Sequence, residues 1–476
     1  MLRKNHFYLL IILILCLFSR LITSIYYIED IDSLRFAFSI LEYDLTKFQP
    51  HFPGYPVFCF LAKNIYFITK NMGVTFSIIG GFSVFYIIYY LLKITHNEIN
   101  SLAGIFLSFV IFFNPLFWLM STRYMPDILG LAIVIVIFYE LILRKNDTSR
   151  LYIGFFLTGI LAGIRLSYLP VLIIPFITQI VNSKNKIKLI VVFFCGISIW
   201  LFPLIWVTGF ESLLSTAFIH THGHFMDFGG SIITEKHLIS RFAHLVESIW
   251  ADGMGGYWLN RSWVTAIFSL FLATLLILGL KMLLTNWKNE KVLKIIFSSI
   301  MVYLLWIFFF QNIIFKSRHV LPILIFLFIM LNLGFKYILT KKPAFINITV
   351  IPFVLLLIGI TTKLVFDHKN PTAIAQLKND LLEQNNNPTI ISTPLINYYL
   401  KSNQVKTNFI NFDDNTSFKK YINQNGAGKI LMIGNFKSLF IDDFFIKPNK
   451  TYYHNPYINR MWTQIDTYHL IRKQTE

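Results

Sequence analysis

Residues 7–37 read FYLLIILILCLFSRLITSIYYIEDIDSLRFA, an apolar run from Phe7 to Ile25 followed by three carboxylates at Glu29, Asp30 and Asp32. The run is close to the roughly 20 residues that cross bilayer hydrocarbon. Arg3 and Lys4 ahead of it mimic a signal peptide, but the run is too long and no small-x-small cleavage site precedes Glu29. It is expected to be the first transmembrane helix, with the acidic stretch at its far mouth. Comparable runs recur at Val74–Leu92, Ile128–Leu143, Leu189–Val207, Thr265–Leu280, Ile295–Phe315, Val320–Leu333 and Ile346–Leu364. The chain is therefore expected to be an α-helical polytopic membrane protein with about eleven transmembrane helices.

Composition agrees. Of 476 residues, 55% are hydrophobic and only 14% charged, too little charge to coat a soluble protein of this size. The net charge of +18 would suggest nucleic acid in a soluble chain. Here the basic residues fall in short loops, where they set topology, and no nucleic-acid partner is expected. Cys16, Cys59 and Cys195 all sit in apolar segments, so no disulfide framework is implied.

Loop charges give a direction. One set of helix ends carries Arg3, Lys4, Lys93, Arg144, Lys145, Arg150, Lys184, Lys186, Lys188, Lys288, Lys291, Lys294, Lys336, Lys341 and Lys342. The other set carries the acids, among them Glu29, Asp30, Asp32, Asp127, Glu211, Asp227 and Asp252. The positive-inside rule puts the N-terminus in the cytoplasm and the acidic ends outside, as expected of a bacterial inner (plasma) membrane protein. Val57–Ile68 is short and contains Lys63 and Asn64, so it is expected to lie in the interface and not to cross. The expected domains are then a membrane domain, 1–366, with outer loops 26–73 and 208–260, and a small extracytoplasmic α/β domain, 367–476. In the latter, Pro371–Gln384, Leu395–Lys401 and Ser417–Asn423 read as helices. Thr389–Ser392, Lys406–Phe412 and Lys429–Ile433 read as strands, and this alternation favours a parallel sheet.

The outer ends hold the residues that could carry chemistry. Glu29, Asp30 and Asp32 could supply a general base or a metal ligand, or form a merely solvated acidic loop. In the same loop His51-Phe52-Pro53-Gly54-Tyr55-Pro56 has the composition of a fixed turn. In the next outer loop Arg123 precedes Pro126-Asp127, where Pro126 starts a helix whose positive end favours the Asp127 carboxylate. Arg165 sits at the following outer turn, and Arg318 and His319 at a later one. Each cation alone reads as a snorkelling or topological charge. Together with the acids they make a set in which carboxylates activate a nucleophile while cations hold a phosphate.

These motifs resemble the polyprenyl-phosphate-sugar-dependent membrane glycosyltransferases of the GT-C fold, in the branch containing protein O-mannosyltransferases and the lipid A aminoarabinose transferase. Asp32-Ser33-Leu34-Arg35-Phe36-Ala37 is similar to that family's Asp-Glu-Ala-Arg-Tyr-Ala, with Ser33 in place of the Glu. His51-Phe52-Pro53-Gly54-Tyr55 resembles its Lys-Pro-Pro-Leu-Tyr, Pro126-Asp127 its Pro-Asp, and Arg318-His319-Val320-Leu321-Pro322 its Arg-Tyr-Leu-Leu-Pro. The likeness covers roughly residues 1–340. It implies an inverting transfer from a polyprenyl-phosphate-linked sugar donor to a lipid, polysaccharide or protein acceptor, within a shell of membrane lipids. Asp32 would be the base, Arg165, Arg318 and His51 would hold the phosphate, and Asp127 would orient the acceptor or an active-site cation.

His220-Thr221-His222-Gly223-His224, with Asp227 behind it, is a second candidate. On an extended segment the three histidines would share one face and could hold a divalent cation; no other cofactor is implied. His222 and His224 could instead contact substrate, or be merely solvated, and Phe228-Gly229-Gly230 reads as a hinge. A transporter or flippase of a lipid-linked saccharide is the alternative function, but it should place polar groups near the middle of the membrane. A structural or assembly subunit would leave the arrangement of Asp32 and Asp127 unexplained.

Overall fold

The computed structural model describes residues 2–143, 147–226, 231–235, 237–288, 290–313, 316–384, 388–413 and 429–473. It divides into two units, Met1–Tyr26 with Arg35–Lys369, and Tyr27–Leu34 with Asn370–Glu476.

The first unit is helical. Among the described residues seven helices are long and apolar enough to cross a bilayer: Met72–Ile94, Thr148–Asn182, Lys186–Thr208, Trp263–Thr285, Lys291–Phe310, Ser317–Lys341 and Ile346–Glu383. Shorter apolar helices run His6–Ile22, Pro56–Thr69 and Leu102–Phe112. Lys186–Thr208 buries only 11% of its apolar window and leaves Phe202 and Trp206 exposed. Such a surface is stable against lipid and not against water, so this is an integral membrane protein. Pro56–Thr69 has 14 residues, about 21 Å at 1.5 Å per residue, against about 30 Å of hydrocarbon. It exposes Lys63 and Asn64 together with Phe60, Phe67 and Ile68.

Helices pack closely where glycines remove side chains. Gly159 in Thr148–Arg165 and Gly196 in Lys186–Thr208 each lie against the other helix's backbone, as do Gly279 and Gly334 in Trp263–Asn286 and Leu321–Lys341. Small residues at such crossings let backbones approach within lipid. Arg20, in the first helix, is fully buried. Its guanidinium donates to Ser121 Oγ (3.2 Å), Ser19 Oγ (3.0 Å) and the Phe112 carbonyl (2.9 Å), and lies over the rings of Phe112 and Trp118.

The second unit carries a five-stranded sheet. Its strands are β1 Thr389–Ser392, β2 Phe409–Asn411, β3 Ile430–Ile433, β4 Phe444–Tyr453 and β5 Gln464–Arg472, in the order β2-β1-β3-β5-β4. β1 pairs parallel with β2 and β3, as the alternating elements suggest. β5 then pairs antiparallel with β3 and β4, so the sheet is mixed and not purely parallel. Pro448 sits in β4 at the sheet edge, where a missing N–H is tolerated, and the register shifts just after it. The Ser417–Asn423 helix expected from the sequence lies outside the described residues.

Candidate functional site

In the first unit the site starts from Asp127, which opens the helix Asp127–Phe138. Its carboxylate, 1% exposed, meets Arg165 Nη2 at 2.8 Å and Arg318 Nε at 3.8 Å. Arg165 ends the helix Thr148–Arg165, where the chain tightens into a 3-10 turn. A Cβ at Gly130 would stand 2.8 Å from Arg165 Cβ and 3.2 Å from the Tyr168 ring, so glycine is what admits both side chains. Arg318 lies in the short turn Ser317–Val320 that leads into Leu321–Lys341, with Nη1 3.1 Å from Met125 Sδ.

The cluster extends through hydroxyls. Arg165 Nη1 donates to Tyr55 Oη at 3.2 Å, and that oxygen is 3.1 Å from His51 Nε2. Tyr168 and Tyr303 pack edge to face, and Tyr303 Oη donates to the His319 carbonyl at 3.0 Å. The Tyr168 hydroxyl is fully buried and has no hydrogen-bond partner among the described residues. Arg123 is buried as well and points Nη1 at Met120 Sδ, 3.7 Å away.

Loop geometry sets His51 and Tyr55. Asp44 caps the turn Leu45–Lys47 and bridges to Gln49. The Gly54 N–H then donates to the His51 carbonyl, closing a turn. Gly54 has φ +90, and a Cβ there would stand 2.5 Å from Tyr43 Oη, so only glycine fits. Phe36 meets the rings of both His51 and Tyr55 edge to face.

The alternating histidines lie on the helix Phe210–Met226 and not on a strand, because the run before them is apolar and helical. A period of 3.6 turns His222 away from the face that His220 and His224 share. His220 Nδ1 accepts from the Phe52 N–H at 3.1 Å, and its ring stacks on Phe48, over which Arg35 also lies. Burial, with Arg35 adding to it, pushes the His220 imidazole down to about 4. It is therefore a neutral acceptor that anchors the His51 loop. His224 Nε2 donates to the Phe310 carbonyl at 2.9 Å, while His222 is exposed. Among the described residues no group of three or more His, Cys, Asp or Glu is arranged to hold a metal ion. Asp227 and the Phe228-Gly229-Gly230 hinge lie outside the described residues.

In the second unit the acidic stretch is buried: Glu29 is 0%, Asp30 3% and Asp32 2% exposed. Asp30 caps the helix Ile31–Leu41, its Oδ1 accepting the Ser33 N–H at 2.8 Å. Its Oδ2 accepts from Asn459 Nδ2 at 2.9 Å. Tyr399 Oη donates to the Ile28 carbonyl at 2.6 Å and Thr372 Oγ1 to the Glu29 carbonyl at 2.9 Å. Burial, then the nearby Asp30 and Glu29 carboxylates, push the Tyr399 phenol well above its ordinary range, which keeps it a donor. Asp32 stands in the first turn of the helix Ile31–Leu41.

Asp127, Arg165, Arg318, His319, Tyr55 and His51 thus come together in one unit, while Glu29, Asp30 and Asp32 form a buried group in the other. Sequence reasoning passed over Tyr168, Tyr303, Tyr399, Thr372 and Asn459. Tyr168 follows Arg165 by three residues and could have been found with it; the tail residues carry no local signal.

No protein-family pattern matches the chain, and no characterised protein sequence is detectably similar to it. Solved structures do match. The crystal structure of ArnT from Cupriavidus metallidurans bound to undecaprenyl phosphate aligns with a TM-score of 0.56 at 10% identity, covering 97% of each chain. ArnT in its apo state aligns at 0.53 with 8% identity, again over 97% of each. The likeness spans the membrane helices and the terminal sheet alike, and what it shows is the fold: the chain has the GT-C architecture of ArnT, the lipid A aminoarabinose transferase.

Proposed function

We propose that this chain is a membrane glycosyltransferase that moves a sugar from a polyprenyl-phosphate donor to an acceptor hydroxyl or amine, with inversion, on the extracytoplasmic face. The observation that carries the reading is the buried cluster in which two guanidiniums, a phenol and an imidazole converge around Asp127. Planar, always-charged N–H donors in an apolar surrounding suit a phosphate. The fold shared with a protein crystallised with undecaprenyl phosphate supports the donor class. The charge asymmetry of the loops supports a cytoplasmic N-terminus.

In the proposed reaction Asp32 takes the proton from the acceptor as its oxygen or nitrogen bonds to the anomeric carbon. The bond from that carbon to the phosphate oxygen breaks, and the polyprenyl phosphate leaves with the electron pair. Arg165 and Arg318, with His51 through Tyr55, stabilise the charge on the departing phosphate. Asp127 fixes the two guanidiniums, and Arg123, His319, His222 and His224 are secondary contacts of donor or acceptor.

The test is transfer of labelled sugar from an undecaprenyl-phosphate-linked donor in membranes holding the wild-type chain or Asp32→Asn. Transfer by the wild type and a loss of about 10²–10⁴-fold in a variant that accumulates normally is expected. Full transfer by Asp32→Asn removes the base. Label that crosses the bilayer without forming a new glycosidic bond replaces the transferase with a flippase.

A further inference from the structure

The tail beyond Asn370 has no part in the chemistry just described, yet the acidic stretch belongs to it. Tyr27–Leu34 is separated from Asn370 by more than three hundred residues of sequence, and it packs as one unit with the tail. Three consecutive residues are gripped in turn. The Ile28 carbonyl takes the Tyr399 hydroxyl, the Glu29 carbonyl takes the Thr372 hydroxyl, and the Asp30 carboxylate takes the Asn459 amide. Asn459 is itself fixed twice. Its Oδ1 accepts the Met461 N–H at 2.9 Å, and its carbonyl accepts from His454 Nε2 at 2.8 Å. The Ala373 N–H donates to His454 Nδ1, which puts the ring proton on Nε2 and settles the direction of that bond. The chain of contacts thus runs from the start of the helix Ala373–Glu383, through His454 and Asn459, to Asp30 and the first turn of the helix that carries Asp32.

The side-chain donors in this chain of contacts, Tyr399, Thr372, Asn459 and His454, are neutral and buried. A clamp of hydroxyl, amide and imidazole groups fixes position through the directionality of its hydrogen bonds, which is what orienting a neighbouring carboxylate requires. An Arg or Lys in place of Asn459 would hold the stretch more tightly but would lower the basicity of its acids. Resting on the transferase reading, we propose that the tail is a positioning device for the acidic stretch, with Asn459, Tyr399 and Thr372 as positioning residues that set the orientation of Asp32.

The Asp30–Asn459 pair permits a reciprocal test. In Asn459→Asp two carboxylates face each other while the Met461 N–H is still accepted. In the double variant, Asp30→Asn with Asn459→Asp, the amide introduced at position 30 still caps Ser33 and donates to the carboxylate introduced at position 459. The contact is restored with the donor and acceptor exchanged. Transfer kinetics and hydrogen–deuterium exchange of the 27–34 peptide are measured on full-length protein. Asn459→Asp is expected to lower kcat by about 10–100-fold with donor KM within about twofold, and to speed exchange in 27–34. The double variant should recover most of both. Tyr399→Phe, which removes one hydroxyl, gives a smaller change in the same direction and serves if Asn459→Asp does not accumulate. Unchanged exchange in 27–34 in both Asn459→Asp and Tyr399→Phe overturns the clamp whatever the activity does. Faster exchange with normal kcat separates the clamp from catalysis and overturns the positioning role. An active Asp32→Asn sinks the base assignment instead, so the two failures are distinct.

Discussion

Two of the buried charged regions among the described residues are built on different plans. Around Asp127 charge meets charge, with guanidiniums at 2.8 and 3.8 Å from one carboxylate. Around Asp30 three acids within four residues lie on a stretch held by an amide, two hydroxyls and a backbone N–H. Ion pairs inside a membrane protein fix arginines that would otherwise be expensive to bury. Neutral hydrogen bonds fix the backbone of the acidic stretch by their geometry. The first plan suits a group that binds charge and the second a segment whose orientation must be held.

Substitution should separate the plans. Asp32→Asn is expected to lower transfer by about 10²–10⁴-fold and, being isosteric, to cost less thermal stability in detergent than Arg165→Ala, which should lose both activity and stability. Removing one partner of a buried pair typically costs about 3–5 kcal/mol where the other charge stays buried alone. Asp127→Leu should cost more stability than Arg165→Leu, because it takes the carboxylate from two guanidiniums, whereas Arg165→Leu leaves Asp127 beside Arg318. If Asp127→Leu is the more stable of the two in thermal unfolding, Asp127 does not hold both arginines as described.

Between the two regions in size of effect lies His220, whose fall from 6.5 to about 4 has a definite sign. The unfolded chain binds the proton between those values and the folded chain does not, so stability is fully present above about pH 6.5 and is lost as pH falls toward 4. The loss is modest, because solvent reaches the imidazole and screens it. It should appear as faster proteolysis or exchange of the 45–56 loop in that window, and His220→Gln should flatten the response. Arg318→Ala is expected to weaken binding of undecaprenyl phosphate by about tenfold, about 1.4 kcal/mol, with a smaller effect on stability than Arg165→Ala. Titration of the lipid into purified variants checks it. Equal losses in the two arginine variants would mean that the 2.8 and 3.8 Å contacts are equivalent.

Much of this was legible before the structure. The apolar runs at Val74–Leu92, Leu189–Val207 and Ile295–Phe315 fall on the helices Met72–Ile94, Lys186–Thr208 and Lys291–Phe310, because lipid selects composition and composition needs no partner to be read. Thr389–Ser392 and Ile430–Ile433 were visible as strands because short apolar runs between polar turns are fully buried there. β4 was not, since Lys447, Pro448, Asn449 and Lys450 interrupt it and an edge strand needs only one covered face. The histidine stretch misled because period two in five residues also fits a helix whose flanks decide the matter. Asp127 and Arg165 could be nominated from helix ends, but Tyr399, Thr372 and Asn459 could not. Their meaning lies wholly in contacts across 343 to 429 residues of chain.

Arg20 adds a consequence of timing. Its hydrogen-bond partners Phe112 and Ser121 lie 92 and 101 residues further along the chain. At about 5–20 residues per second of synthesis, the first helix waits roughly 5–20 s with a guanidinium that has nowhere in the bilayer to settle. During that interval the insertion machinery must keep the helix close to water or to itself. The birth order of the helices is thereby written into one side chain: the first helix made cannot settle its guanidinium until residues 112–121 have followed it.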